Sequence, residues 1–176
     1  QSSYDKTGEC SKMGESAELS FGKILATKGT VRPATEWEQR KHIDFVLTKP
    51  DGQSVKYDVK ARKRVSRSDE SSTDDIVWIE FLNVRGDKGW LYGEAHFIVF
   101  ERATDFVVID RDKLRIFCED KCDLADIVRN ASNALYKGYR RQGRHDYLSM
   151  VKMDDIVVFA TEIISKTPLD KAPSPK

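Results

Sequence analysis

The feature that most constrains the fold is a pair of alternating segments, residues 41–48 and 54–60, separated by Lys49, Pro50, Asp51, Gly52 and Gln53. Proline, aspartate and glycine in succession supply turn chemistry, so the two segments read as the arms of a β-hairpin. With Lys49 paired to Gln53 across a three-residue loop, Asp44 stands opposite Asp58. Period-2 alternation then sets Asp44, Asp58 and Lys60 on one face, and Ile43, Phe45, Leu47, Val55, Tyr57 and Val59 on the other. The apolar face is expected to be the core side, which leaves the two acids and the lysine gathered on the opposite face.

Two carboxylates this close repel one another unless a cation lies between them or one holds a proton. A hard divalent ion suits the oxygen donors: Mg²⁺ or Mn²⁺ keeps waters, polarises a phosphoryl oxygen and lowers the pKa of a bound water. An ammonium at Lys60 would orient that water and offset negative charge as it develops. A third acid precedes the hairpin. Over residues 15–28, Ala17, Phe21, Ile24 and Leu25 recur at the spacing of a single buried helical stripe. Glu18 projects about 20° from Leu25 on the helical wheel, while Glu15 lies well over ~100° from the stripe centre. Glu18 is therefore the acid expected to reach inward, where a metal or Lys60 would meet its charge.

The order helix Glu18, strand Asp44, turn, strand Asp58-Val59-Lys60 resembles the PD-(D/E)XK nuclease superfamily, which includes restriction endonucleases, Holliday-junction resolvases and phage recombination nucleases. The resemblance covers roughly residues 14–110; Ile43 and Asp44 stand where the family often has Pro-Asp, so the proline is absent. It implies an α/β fold, a restriction-endonuclease-like mixed central sheet of about five strands flanked by helices. It also implies Glu18, Asp44, Asp58 and Lys60 as catalytic residues, with Asp44, Asp58 and Glu18 holding Mg²⁺ (or Mn²⁺) and Lys60 positioning the water. The expected activity is a metal-dependent endodeoxyribonuclease that recognises DNA by structure or backbone. The alternatives are a Holliday-junction resolvase acting as a homodimer, and a non-catalytic nucleic-acid-binding module of the same fold.

Further strands are expected at 76–83, 95–100 and 106–110, all rich in β-branched and aromatic residues, bringing the sheet to about five. Glu80 on the first of them is a secondary site candidate. The intervening loop, 85–93, carries Gly86, Gly89 and Gly93, which allow close backbone approach, and Trp90 and Tyr92 read as core plugs between strands. Downstream, Asp123 reads as the cap of a helix striped by Leu124, Ile127, Val128, Ala131 and Leu135, and 156–160 reads as a closing strand. Residues 1–13 are expected as an N-terminal extension, 14–164 as the nuclease domain, and 165–176 as a disordered tail without apolar periodicity.

With 176 residues and 39% hydrophobic content, a single α/β domain can bury a core. No run approaches the ~20 apolar residues of a membrane helix, and three cysteines leave one unpaired in any disulfide scheme. The expectation is a soluble, cytoplasmic protein of prokaryotic or viral origin. Its net charge is only +1, but charge is unevenly spread. Lys56, Lys60, Arg62, Lys63, Arg64 and Arg67 form one basic run, and Arg140, Arg141 and Arg144 a second. Arg62, Lys63, Arg64, Arg140, Arg141 and Arg144 are the residues expected to contact nucleic acid, through phosphates rather than bases.

Overall fold

The computed structural model describes residues 9–62 and 73–166, without the side chains of Glu9, Cys10, Ser11 and Met13. The chain is mixed α/β. A helix, α1 (Glu9–Leu25), leads through β1 (Thr30–Pro33) and the short α2 (Glu36–Arg40) to the hairpin of β2 (Phe45–Thr48) and β3 (Ser54–Lys60). Then come β4 (Ile76–Leu82), β5 (Phe97–Glu101), β6 (Asp105–Asp110), α3 (Arg111–Lys121), β7 (Asp123–Val128), β8 (Lys137–Tyr139), β9 (Tyr147–Lys152), α4 (Met153–Val157) and β10 (Glu162–Ser165).

The strands form two mixed sheets, one of six in the order β1-β2-β3-β5-β6-β10 and one of four in the order β4-β9-β8-β7. The larger sheet exceeds the expected five strands, and its composition differs from expectation too. Residues 76–82 are a strand as expected, but they pair with β9 in the second sheet. Asp123 is not a helix cap: its side chain accepts from the Ala125 amide at 3.1 Å, a local turn, and the segment continues as β7 paired parallel to β8. Nor is 156–160 a strand. Ile156 lies in α4 and is fully buried, and the strand that closes the sheet is β10, antiparallel to β6.

The hairpin forms in the expected register. Phe45 pairs with Tyr57 and Thr48 with Ser54, and the Lys49 amide donates to the Gln53 carbonyl at 2.8 Å. The turn closes through Gly52 N–H to Lys49 C=O at 2.9 Å, with Gly52 at φ 89° and Asp51 Oδ1 accepting from the Gln53 amide. A type I turn followed by glycine in the left-handed region is the geometry three-residue hairpins favour. The first arm is shorter than expected: β2 begins at Phe45, and His42 at φ 63° breaks the alternation. Ile43 consequently packs with Ala34, Val46 and Ala95, apart from Leu47, Tyr57 and Val59.

Both faces of the six-stranded sheet are covered. On one, Phe21, Ile24 and Leu25 of α1 pack against Leu47, Tyr57, Val59, Val99, Phe106 and Val108. Gly22 permits the approach, since a Cβ there would stand 3.3 Å from the Phe45 ring. On the other, Ile98, Phe100, Val107 and Ile109 pack against Ile79 and Phe81 of the second sheet, Leu114 of α3 and Ile156 of α4. β5 and β6 at the centre are therefore apolar on both sides, the pattern of strands buried between layers. β3 and β5 run parallel at the centre, with Asp58 beside Ile98 and Lys60 beside Phe100. Among the described residues, no helix is long and apolar enough to cross a membrane.

The expected N-terminal extension overlaps α1, which starts at Glu9, and Ser165 at the start of the expected tail belongs to β10. The next residue, Lys166, pairs with Glu101 at 3.2 Å, and 167–176 lie outside the described residues.

Candidate functional site

Asp44 and Asp58 meet where the hairpin ladder ends. The Asp44 amide donates to the Tyr57 carbonyl at 2.8 Å, and its Oδ2 accepts from the Val59 amide at 2.7 Å. A side-chain oxygen thus takes the place of a strand carbonyl, fixing the Asp44 carboxylate against β3. Asp58 projects from the β3 side that faces the second layer, and it is only 3% exposed. The acid face of the hairpin, opposite the apolar one as expected, is thus interior at Asp58 and half-buried at Asp44 and Lys60.

Lys60 follows Asp58 on the same face, its Nζ 3.1 Å from Asp58 Oδ1 and 4.8 Å from the centroid of the Trp90 ring. Asp58 Oδ2 is buried without a hydrogen-bond partner among the described residues. Burial raises the Asp58 pKa to about 7; the Asp44 carboxylate pushes in the same direction and Lys60 opposes both.

Glu18, half-buried on α1, behaves similarly. Desolvation raises its pKa to about 7, with Asp44 adding to the rise and Lys60 opposing it. It lies one helical turn before Gly22, whose contact with Phe45 draws this part of α1 towards the residue after Asp44. Asp44 and Lys60 thus each act electrostatically on both Glu18 and Asp58.

Glu80 stands beside this group from the second sheet. Its Oε1 accepts from the Trp90 amide at 3.2 Å, holding the indole beneath Lys60. The loop to Trp90 fits only because residue 89 is glycine: a Cβ there would stand 2.4 Å from the Glu80 carbonyl oxygen. Arg111 secures the far side, donating to the carbonyls of Ala95 and Leu91 at 2.8 and 3.1 Å. Trp90 is 6% exposed and is a core plug, as its sequence setting suggests.

His42 belongs to the same neighbourhood and is not evident from the sequence. Burial lowers its pKa, Lys60 adds to the fall, and Glu80, the Lys88 backbone and Asp44 oppose it. A donated bond to a backbone carbonyl at Lys88 leaves the second ring nitrogen of a neutral imidazole as an acceptor. The only sequence sign of His42 is indirect: Gly93, where a Cβ would come within 2.8 Å of the His42 Cβ.

The centre fits a hard cation that keeps its waters. Among the described residues, no group of three or more His, Cys, Asp or Glu side chains is placed to hold a metal ion. Mg²⁺ characteristically takes one or two carboxylates and fills the rest with water and phosphate. Asp44 and Asp58, with the orphaned Asp58 oxygen, match that demand.

The basic residues divide. Lys63, Arg64 and Arg67 lie outside the described residues. Arg62 is engaged by Asp74, Nε to Oδ1 at 2.7 Å, and its amide donates to Glu101. Arg140, Arg141 and Arg144 come together with Arg129, which the sequence reading did not include, around a groove of about 320 Å³ at the β7–β8 side of the second sheet. Cys118 and Cys122 are both buried, on the interior side of α3.

Comparison with family models, curated proteins and solved structures finds no match to this chain.

Proposed function

We propose that this chain is a metal-dependent nuclease that hydrolyses phosphodiester bonds in DNA through a PD-(D/E)XK-type centre on a restriction-endonuclease-like core. The observation that carries the reading is buried Asp58 beside half-buried Asp44 at the end of the hairpin, with one orphaned Asp58 oxygen and Lys60 3.1 Å away. A surface pair of acids would be solvated and spread apart; here the Val59 amide fixes Asp44, and one ammonium, Lys60, faces two carboxylates.

In this proposal Asp44 and Asp58 hold the metal and Glu18 supports it from α1, through water or directly. The bound ion supplies Lewis acidity to a phosphoryl oxygen and a water of lowered pKa. Asp44 keeps its oxygen aimed through the Val59 amide. Lys60, steadied over the Trp90 ring, presents its ammonium to the attacking water and the charge that builds on phosphorus. Glu80 fixes Trp90 and so sets the height of Lys60.

The test is cleavage of supercoiled plasmid and of a labelled four-way junction with Mg²⁺ or Mn²⁺. The intact protein cuts, a chelator stops it, and Asp58→Asn and Lys60→Ala each lower the rate at least ~100-fold, the usual scale for removing an electrostatic stabiliser. Metal-independent cutting, or full activity in Asp58→Asn, would discard the proposal. Preference for the junction would select a resolvase.

A further inference from the structure

The arginine groove of the second sheet is separate from the carboxylate centre, and what surrounds it identifies its ligand. Arg129, Arg140, Arg141 and Arg144 line it together with Ile127 and Gly143. Among the described residues, no carboxylate and no aromatic ring lines it. Lacking acids, it does not suit a cation; lacking rings, it offers no platform for a base. Planar guanidiniums match phosphate oxygens in bidentate fashion.

Two of the guanidiniums are held in place from behind. Asp146, 4% exposed, forms an ion pair with Arg141. Arg140 lies 4.8 Å over the ring of Tyr147, whose hydroxyl donates to the Leu124 carbonyl. Tyr147 can lie flat across β8 because residue 138 is glycine; a Cβ there would meet the tyrosine ring and hydroxyl at 2.7 Å. The loop itself is tied down by the Arg140 amide to Val128 and turned by Gly143 at φ 75°. A set of solvated surface arginines would need none of this support.

Sheet register relates the groove to the carboxylate centre. Glu80 pairs with Leu148, Leu148 with Tyr139 and Tyr139 with Val128, one row across four strands. Arg129 and Arg140 are the next residues after Val128 and Tyr139. Two strand intervals place Arg140 about 10 Å from Glu80 along the row, and three place Arg129 roughly 14 Å away. At about 3.4 Å per nucleotide of one strand, that is roughly three to four nucleotides of duplex.

We infer that this groove binds the phosphodiester backbone of the DNA a few nucleotides from the position held at the carboxylate centre, as a sequence-independent anchor. The inference rests on the nuclease reading for the identity of the nucleic acid and for the register between the two sites; the phosphate chemistry of the groove stands by itself.

The test is fluorescence anisotropy of the full chain with a labelled duplex of about 20 base pairs, in chelator so that nothing is cut, over a salt series. Arg129→Ala and Arg140→Ala each weaken binding about 10-fold and flatten the plot of log affinity against log salt by about one unit. Arg140→Lys keeps the slope. Arg115→Ala, on α3 and paired with Glu119, serves as the control and leaves both unchanged. Inorganic phosphate at the same phosphate concentration fails to displace the duplex. Unchanged binding in the groove variants, an equal loss in Arg115→Ala, displacement by inorganic phosphate, or no DNA binding by the intact chain would each overturn the inference. Cutting is read separately with Mg²⁺: cleavage with unaltered binding in the groove variants removes only the groove, and weakened binding without cleavage removes only the nuclease.

Discussion

Asp58 and Asp146 are buried to nearly the same degree, 3% and 4% exposed, and each keeps one oxygen without a hydrogen-bond partner among the described residues. Each also has a basic side chain at hand, Lys60 for one and Arg141 for the other. The difference is the next neighbour. Asp58 lies against a second carboxylate, Asp44, and its pKa rises to about 7. Asp146 lies beneath a loop carrying Arg140, Arg141 and Arg144. One buried acid shares its basic partner with a second carboxylate; the other pairs with an arginine whose loop carries two more. Burial by itself therefore does not mark a reactive site; the sign of the surrounding charge decides whether a buried carboxylate seeks a ligand or positions one.

The comparison can be broken by neutralising each acid in turn and measuring thermal stability with a chelator present. The largest effect is expected at Asp146. Asp146→Asn breaks the ion pair with Arg141, whose side chain is 32% exposed, a loss of about 2 kcal/mol, and lowers the melting temperature by roughly 6 °C at this chain length. Asp58→Asn should act in the opposite direction, raising the melting temperature by a few degrees near pH 8, since it removes one of two crowded negative charges. Equal destabilisation by both substitutions would abolish the distinction.

A smaller effect follows from the raised pKa values of Asp58 and Glu18, each about 7. Between about pH 4.5 and 7 the folded protein keeps protons that the unfolded chain has released, so stability falls as pH rises through that window. The melting temperature in chelator should decline from pH 5 to pH 8. Mn²⁺ should restore it at the upper end by replacing the proton, and Asp58→Asn should flatten the profile. A melting temperature that climbs over this range would contradict the raised values. The smallest effect concerns the groove: Tyr147→Leu, which removes the ring beneath Arg140, should weaken DNA binding about 3-fold without changing the salt slope.

The hairpin and its acids were legible because a short turn with Pro50, Asp51 and Gly52 fixes register locally, and register fixes which side chains share a face. What the alternation of residues 41–48 could not reveal was the reversal at His42, which Gly93 meets from a distant loop. The apolar spacing of Leu124, Ile127, Val128 and Ala131 fits a helix as well as a strand over so few residues. Pairing with β8 decided it, a contact made through residues further along the chain. The β-branched run at 156–158 was overridden in the same way, by burial of Met153 and Ile156 against the second sheet. Arg129 was missed because no sequence pattern links it to Arg140; only the parallel β7–β8 pairing does.

The parallel junction between β3 and β5 bears on the order in which the molecule is built. β2 and β3 are joined by a three-residue loop and can pair within microseconds, whereas β3 and β5 must close over the whole segment that contains β4. A nascent hairpin therefore holds Asp44 and Asp58 side by side in water, ionised and mutually repelled, before the second layer arrives. Docking of Trp90 and β4 then strips that water away. The cost of creating the acid centre thus falls on the non-local closure of β3 against β5 and the second layer.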